Sequence, residues 1–189
     1  MSDFSDAVGV VITTHEGGFQ NRPDDPGNYD STGKLVGTKY GVSAAAAPLG
    51  TDIANLTLSG AEDFYRTRYG KLAAIVRQRV LIKVLDLAVN MQGSENGPAT
   101  RVLQIAINSL TEAYLVVDGE FGDKTIGATN AASENALLDA IVAAAVDHYH
   151  AIEAAKPAMK AWFANWDARA KWLPPANPIP APADGEDGA

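Results

Sequence analysis

The sequence predicts a mainly α-helical protein with one long irregular or short β-ribbon segment near residues 20–50. Three observations carry this. Apolar residues recur at helical spacing in most other segments, helix-start and helix-stop chemistry flanks them, and residues 21–50 are rich in Gly, Pro, Asp, Asn and Thr with little periodicity. At 189 residues, 47% hydrophobic and 20% charged, the chain buries one sizeable core or two small lobes, not two large independent domains.

Phe4, Val8, Val11 and Ile12 mark a first helix that Gly17-Gly18 stops at about Glu16. Ser59-Gly-Ala-Glu62 has the capping-box pattern and is expected to open a second helix through Phe64, Tyr65 and Tyr69. Val80, Leu81, Val84, Leu85, Ala88 and Val89 form a wide apolar stripe that stops at Gly93, the pattern of a central buried helix. Asn96, with Pro98 just inside it, is the expected start of a helix carrying Val102, Leu103, Ile105, Ala106 and Leu110. Residues 117–123 have turn chemistry and lead to a short helix near residues 125–130. Residues 133–155 read as a long Ala-rich helix broken at Pro157, and a last helix bears Trp162, Phe163, Trp166 and Trp172, the first three at a spacing that faces a core. From residue 174 to 189 the composition is Pro, Ala, Gly and acid, so a disordered tail is expected there. No internal repeat is visible.

A net charge of −8 and a pI near 4.8 argue against a nucleic-acid groove, which needs clustered Lys and Arg to replace counterions. The absence of cysteine removes disulfides, a cysteine nucleophile and a thiolate zinc site. The first residues carry no basic n-region, so no signal peptide is expected. The most apolar runs contain Lys83, Asp86 and Asp139 and fall short of the ~20 apolar residues that span a bilayer, so no membrane insertion is expected either. His15-Glu16 lacks a second histidine four residues on, and His148 and His150 point to different helix faces, so neither metal nor cofactor is implied. The stretch from Gly27 to Lys34 has the wrong glycine spacing for a phosphate loop, and Asp118, Glu120 and Asp123 do not fit an EF-hand.

The most informative segment is His15-Glu-Gly-Gly-Phe19, continuing through Asp24-Asp25-Pro-Gly27 to Gly37-Thr-Lys-Tyr-Gly-Val42. Glycosidic hydrolysis needs one carboxylic acid to protonate the leaving oxygen and a second carboxylate to activate water or attack the sugar. Glu16 and Asp25 supply such a pair, with Glu16 at the negative end of a helix dipole, where an acid that must keep its proton is well placed. On spacing alone, an ordinary last-turn glutamate and an ordinary Asp-Pro-Gly turn remain open.

This segment resembles the N-terminal signature of glycoside hydrolase family 108, lysozyme-like N-acetylmuramidases of phage endolysins. Tyr65-Arg-Thr-Arg-Tyr69 resembles the family's Tyr-Arg block, and Asp86-Leu-Ala-Val-Asn90 with Gly93 its central-helix block. Residues 101–110 resemble the Leu-Gln-rich helix, and residues 117–125 the Asp-Gly-x-x-Gly-x-x-Thr turn of a C-terminal peptidoglycan-binding region. The chain departs from the pattern in carrying residues 28–36 as an insertion and in having Gly70 where the family often has Trp.

The resemblance implies a lysozyme-like fold, with a catalytic region at 1–93, a helical peptidoglycan-binding region at 94–173 and the tail at 174–189. It implies Glu16 as general acid, Asp25 as the second carboxylate and Thr38 as a water-positioning hydroxyl, with Tyr40, Tyr65 and Asn90 binding substrate. The implied reaction is cleavage of the β-1,4 bond between N-acetylmuramic acid and N-acetylglucosamine. The alternatives are a lytic transglycosylase forming 1,6-anhydro products and a non-catalytic peptidoglycan-binding virion protein. The implied setting is a monomer made in the host cytoplasm that acts on the cell wall after release, with a holin as delivery factor.

Overall fold

A computed structural model describes residues 3–91, 93–157 and 160–176. It is mainly helical, with a small two-stranded antiparallel sheet among the described residues, as the sequence predicts. Two compact units divide the chain. One is Phe4–Gly70, and the other, among the described residues, is residue 3 with residues 71–176.

In the Phe4–Gly70 unit, α1 (Phe4–His15) buries Phe4, Ala7, Val8, Val10, Val11 and Ile12 and packs on α2 (Leu58–Tyr69). The capping box expected at Ser59 does not form. Thr57 is the N-cap, its Oγ1 accepting from Gly60 N at 3.0 Å, and Ser59 falls inside the first turn. Glu62, the expected box partner, is drawn elsewhere: its Oε1 accepts from Ser5 Oγ at 2.5 Å and from Arg66 Nη2 at 2.9 Å.

Between these helices lie a 3-10 turn at Pro26–Asn28 and a hairpin of β1 (Thr38–Lys39) and β2 (Val42–Ser43), with Thr38 opposite Ser43 and Lys39 opposite Val42. The ribbon expected within residues 20–50 is therefore short. Residues 28–36 close on themselves through a Tyr29–Leu35 bridge, while Asp30 Oδ1 accepts from Thr32 N at 2.9 Å and Lys34 N at 3.1 Å.

In the other unit, α3 (Gln78–Asn90) is buried at every residue from Val80 to Ala88, Lys83 and Asp86 included. Then follow α4 (Pro98–Leu110), α5 (Asp123–Ala131), α6 (Glu134–Ala155) and α7 (Lys160–Lys171). Asn96 does not cap α4. Gly97 occupies that position at φ 141°, and Asn96 Oδ1 instead accepts from Phe121 N at 2.8 Å, fixing the turn before α5.

The aromatic stripe of α7 is only partly core. Trp166 stacks on Tyr149 of α6 with ring centroids 5.6 Å apart, and Phe163 meets His150 at 4.9 Å, but Trp162 is 59% exposed. It lies in the first turn of α7, about 100° round the helix from Phe163. Behind this pairing sits an ionic cluster. Lys83 Nζ donates to Arg169 O at 2.9 Å, Arg169 Nε lies 2.7 Å from Asp86 Oδ1, and Lys83 and Asp86 are 3.9 Å apart. The charges that interrupt the apolar run of α3 are thus what hold α7 to it.

Pro174, the first residue of the expected tail, is buried, and its carbonyl accepts from Arg79 Nε at 3.0 Å. The rest of that tail, residues 177–189, lies outside the described residues.

Candidate active site

Glu16 follows the last helical residue of α1, its backbone N–H donating to Ile12 O at 3.1 Å. The next carbonyl, of Gly17, accepts from Tyr40 N at 3.1 Å, which seats the tip of the hairpin against the end of α1. Tyr40 and Gly41 form the two-residue loop between the strands and both have positive φ, 52° and 74°. That is the backbone of the tight turn whose twist matches a hairpin, and it ordinarily costs a non-glycine residue such as Tyr40 about 1–3 kcal/mol.

Two groups show why the turn is held there. The Tyr65 hydroxyl, on a side chain only 1% exposed, donates to Tyr40 O at 3.2 Å. Gly41 provides the clearance: a Cβ there would overlap the Tyr65 hydroxyl and lie 3.0 Å from Cγ and 3.2 Å from Cδ of Glu16. The Glu16 side chain is therefore laid against the bare backbone of the turn. Tyr69, one helical turn beyond Tyr65, lies beside the Tyr65 ring at 5.7 Å. Burial raises its phenol above the usual range, Arg68 draws it back, and the Glu16 charge adds a further upward push.

A second cluster gathers at the base of the hairpin. Asp25 caps the 3-10 turn, its Oδ1 accepting from Gly27 N at 2.9 Å, while Oδ2 accepts from Gln20 Nε2 at 3.2 Å. Thr38 Oγ1 donates to Asn28 Oδ1 at 2.7 Å. Gln20 and Asn28 join the two: Gln20 Nε2 donates to Asn28 Oδ1 at 3.0 Å and Asn28 Nδ2 to Gln20 Oε1 at 2.8 Å. The backbone agrees, since Gln20 and Thr38 exchange N–H···O bonds of 2.9 and 2.7 Å.

Of the residues singled out in the sequence, the structure thus brings Glu16 together with Tyr40 and Tyr65, and Asp25 together with Thr38, all in the Phe4–Gly70 unit. Asn90 belongs to the other unit, where its amide donates to the Tyr149 hydroxyl. Sequence reasoning missed Gln20, Asn28, Gly41 and Tyr69. Gly41 had a signal, the Tyr-Gly pair between two short β-prone stretches. Asn28 had none, because it begins the stretch that looks like an insertion, yet it is fully buried.

Residues 10–92 match the family described as Glycosyl hydrolase 108. Among solved structures, the fold is similar to that of Brucella abortus SagA, with a TM-score of 0.58 and 23% identity over 88% of this chain and 92% of that one. No curated protein matches the chain.

Proposed function

Taking residues 10–92 as a glycosyl hydrolase 108 domain, and the chain therefore as a glycoside hydrolase, we propose an N-acetylmuramidase that cleaves the β-1,4 bond between N-acetylmuramic acid and N-acetylglucosamine in peptidoglycan. The observation that carries this reading is the seat of Glu16, a carboxyl at the end of α1 laid against a glycine of a braced turn. Glu16 protonates the glycosidic oxygen as the bond breaks. Asp25 and Thr38 serve the water: a molecule that donates one hydrogen to each keeps a lone pair for the anomeric carbon. Tyr40 contacts glycan from the tip of the hairpin, while Tyr65, too buried to offer a ring to sugar, acts from behind by holding the turn.

A lytic transglycosylase needs only one acid, which then serves as base for the sugar's own hydroxyl. The paired carboxylate and hydroxyl at Asp25 and Thr38 are what a hydrolytic water requires, and they favour hydrolysis. Residues 1–93 are then the catalytic region and residues 94–173 a peptidoglycan-binding region. In the latter, Tyr114 is 81% exposed at φ 47° on a loop that Asn108 pins by two bonds to Leu115, of 2.8 and 2.7 Å. An exposed aromatic ring on a pinned loop suits stacking on sugar. The protein fits a phage endolysin: a monomer that acts on the host cell wall once a holin or similar factor lets it through.

Digestion of purified sacculi tests this. Glu16→Gln keeps the shape and removes the transferable proton, so release of fragments is expected to fall by on the order of 10²-fold or more with the melting temperature unchanged. Mass spectrometry of wild-type fragments is expected to show reducing ends, and 1,6-anhydro ends would establish the transglycosylase. The inactive Glu16→Gln protein is expected to stay bound to sacculi and to be loosened by adding Tyr114→Ala. Near wild-type hydrolysis by folded Glu16→Gln would end the proposal.

A further inference from the structure

Gln20 and Asn28 form a hydrogen-bonded unit in which no donor or acceptor is left to choose. Asn28 Oδ1 accepts from Thr38 Oγ1 and Gln20 Nε2, and its Nδ2 donates to Gln20 Oε1 and, at 2.9 Å, to Arg22 O. Gln20 Oε1 also accepts from Arg22 N at 3.1 Å, and Gln20 Nε2 donates to Asp25 Oδ2 as well. Both amides are therefore saturated at all four positions. Arg22 sets their direction. Its N–H is only a donor, so Gln20 must present oxygen to it, and its carbonyl is only an acceptor, so Asn28 must present nitrogen. With those ends fixed, Gln20 must point its NH2 at Asp25, and Asn28 must point its oxygen at Thr38.

We infer that Gln20 and Asn28 are positioning residues that impose hydrogen-bond polarity on the hydrolytic water. The inference rests on the muramidase reading and on Asp25 and Thr38 meeting that water. The Thr38 hydroxyl proton is committed to Asn28, so toward the site Thr38 only accepts. Asp25 is gripped on both oxygens, by Gly27 N and by Gln20 Nε2, which fixes the rotation of its carboxylate. A water between them meets two acceptors and must donate to both, which leaves its lone pair outward. An amide flipped by 180° would make Thr38 a donor and put an acceptor against Asp25, and the water would lose its orientation. Neither amide touches substrate. Their effect passes entirely through Asp25 and Thr38.

The test compares Gln20→Glu, Asn28→Asp, Thr38→Val and Thr38→Ser with wild type and with Glu16→Gln, on soluble peptidoglycan fragments, reading kcat, KM, the pH profile of kcat and the melting temperature. Gln20→Glu puts a second carboxylate against Asp25. The pair holds on to a proton, so the acidic limb of kcat is expected to move to higher pH by about one unit. Asn28→Asp and Thr38→Val are expected to lower kcat about tenfold or more with KM within about twofold, and Thr38→Ser to regain turnover relative to Thr38→Val. A merely structural role would lower the melting temperature and leave the pH limb in place. If Asn28→Asp does not fold, Gln20→Glu and the Thr38 pair decide alone. An unmoved acidic limb in Gln20→Glu, or wild-type kcat in Thr38→Val, overturns the inference while an inactive Glu16→Gln keeps the reading beneath it. An active Glu16→Gln removes that reading itself.

Discussion

The two buried polar clusters of this protein are built from opposite materials. In the Phe4–Gly70 unit the cluster is made of neutral amides and a hydroxyl around Asn28, and it ends at the half-buried Asp25 and Thr38. In the other unit it is made of charges, with Lys83 and Asp86 0% exposed and the Arg169 side chain 15% exposed, and it ends at the Trp172 ring, 5.8 Å from Lys83 Nζ. Neutral amides fix directions without taking charge out of water, which suits a cluster whose outer members, Asp25 and Thr38, are proposed to meet the hydrolytic water. Buried ions carry a desolvation cost that only close pairing offsets, and they tie their partners together tightly once paired. The first cluster aims groups outward, and the second fastens α7 to α3. That contrast makes each cluster breakable in its own currency, activity for one and stability for the other.

The largest effect is expected from Asp86→Ala. It leaves the Lys83 ammonium and the Arg169 guanidinium buried without their shared counter-charge, a change that typically costs about 3–5 kcal/mol. Chemical denaturation is expected to show that loss, while hydrolysis per folded molecule stays at the wild-type level. Lost activity with unchanged stability would erase the division of labour between the clusters.

How much of this was legible in the sequence follows the same line. Most helices announced themselves because their apolar positions repeat, so α1, α3 and α4 lie close to where periodicity puts them, while α5 follows the turn chemistry that precedes it. Local capping signals fared worse. Ser59 and Asn96 have the right chemistry, but Thr57 and Gly97 take the cap positions, since Glu62 and Asn96 find better partners at Ser5 and Phe121, far along the chain. Glu16 and Asp25 were visible as one possible carboxylate pair, but spacing left them open to an ordinary reading, and it was the family resemblance that singled them out together with Thr38. Gln20 and Asn28 were not visible, because a polar residue in a polar loop gives no hint that it is half-buried, as Gln20 is, or fully buried, as Asn28 is. Lys83 and Asp86 read as interruptions of an apolar stripe, and only the arrival of Arg169, 83 residues after Asp86, explains them. Pairings across such distances leave no periodic trace.

A smaller effect distinguishes the ionic cluster by pH. Burial pushes the Lys83 ammonium down to about 8 from its ordinary 10.5, against the opposing pull of Asp86. Between those values the unfolded chain binds more protons than the folded one, so stability rises with pH across the window. Below about 8 the folded protein bears the whole cost of the charged amine. Relative to Lys83→Met, in which that dependence is gone, the wild type is expected to gain on the order of 2 kcal/mol between about pH 8 and 10. Tyr149, held up to about 12 mainly by burial, keeps its proton through this range. Parallel stability curves for the two proteins would mean that Lys83 is solvated more freely than its burial implies.

The smallest effect on stability, and the sharpest on the site, is expected at the hairpin tip. Gly41→Ala places a non-glycine residue at φ 74° and drives its Cβ into the Tyr65 hydroxyl and toward Cγ of Glu16. The backbone conformation alone costs about 1–2 kcal/mol. Gly33→Ala provides the matched control, because Gly33 has φ 82° and nothing within 4 Å of where its Cβ would sit. Both variants carry the same backbone cost, and Gly41→Ala adds the overlap with the buried Tyr65 hydroxyl, so its melting temperature is expected to fall at least as far as that of Gly33→Ala. Only Gly41→Ala displaces Glu16, the proposed acid, and the hydroxyl that braces its turn, and a misplaced acid loses proton-transfer efficiency in the transition state. Its kcat is expected to drop about tenfold or more, with Gly33→Ala turning over at the wild-type rate. Equal turnover in the two variants would show that Glu16 accommodates the added methyl, and the close fit of the acid to the bare turn would then have no part in catalysis.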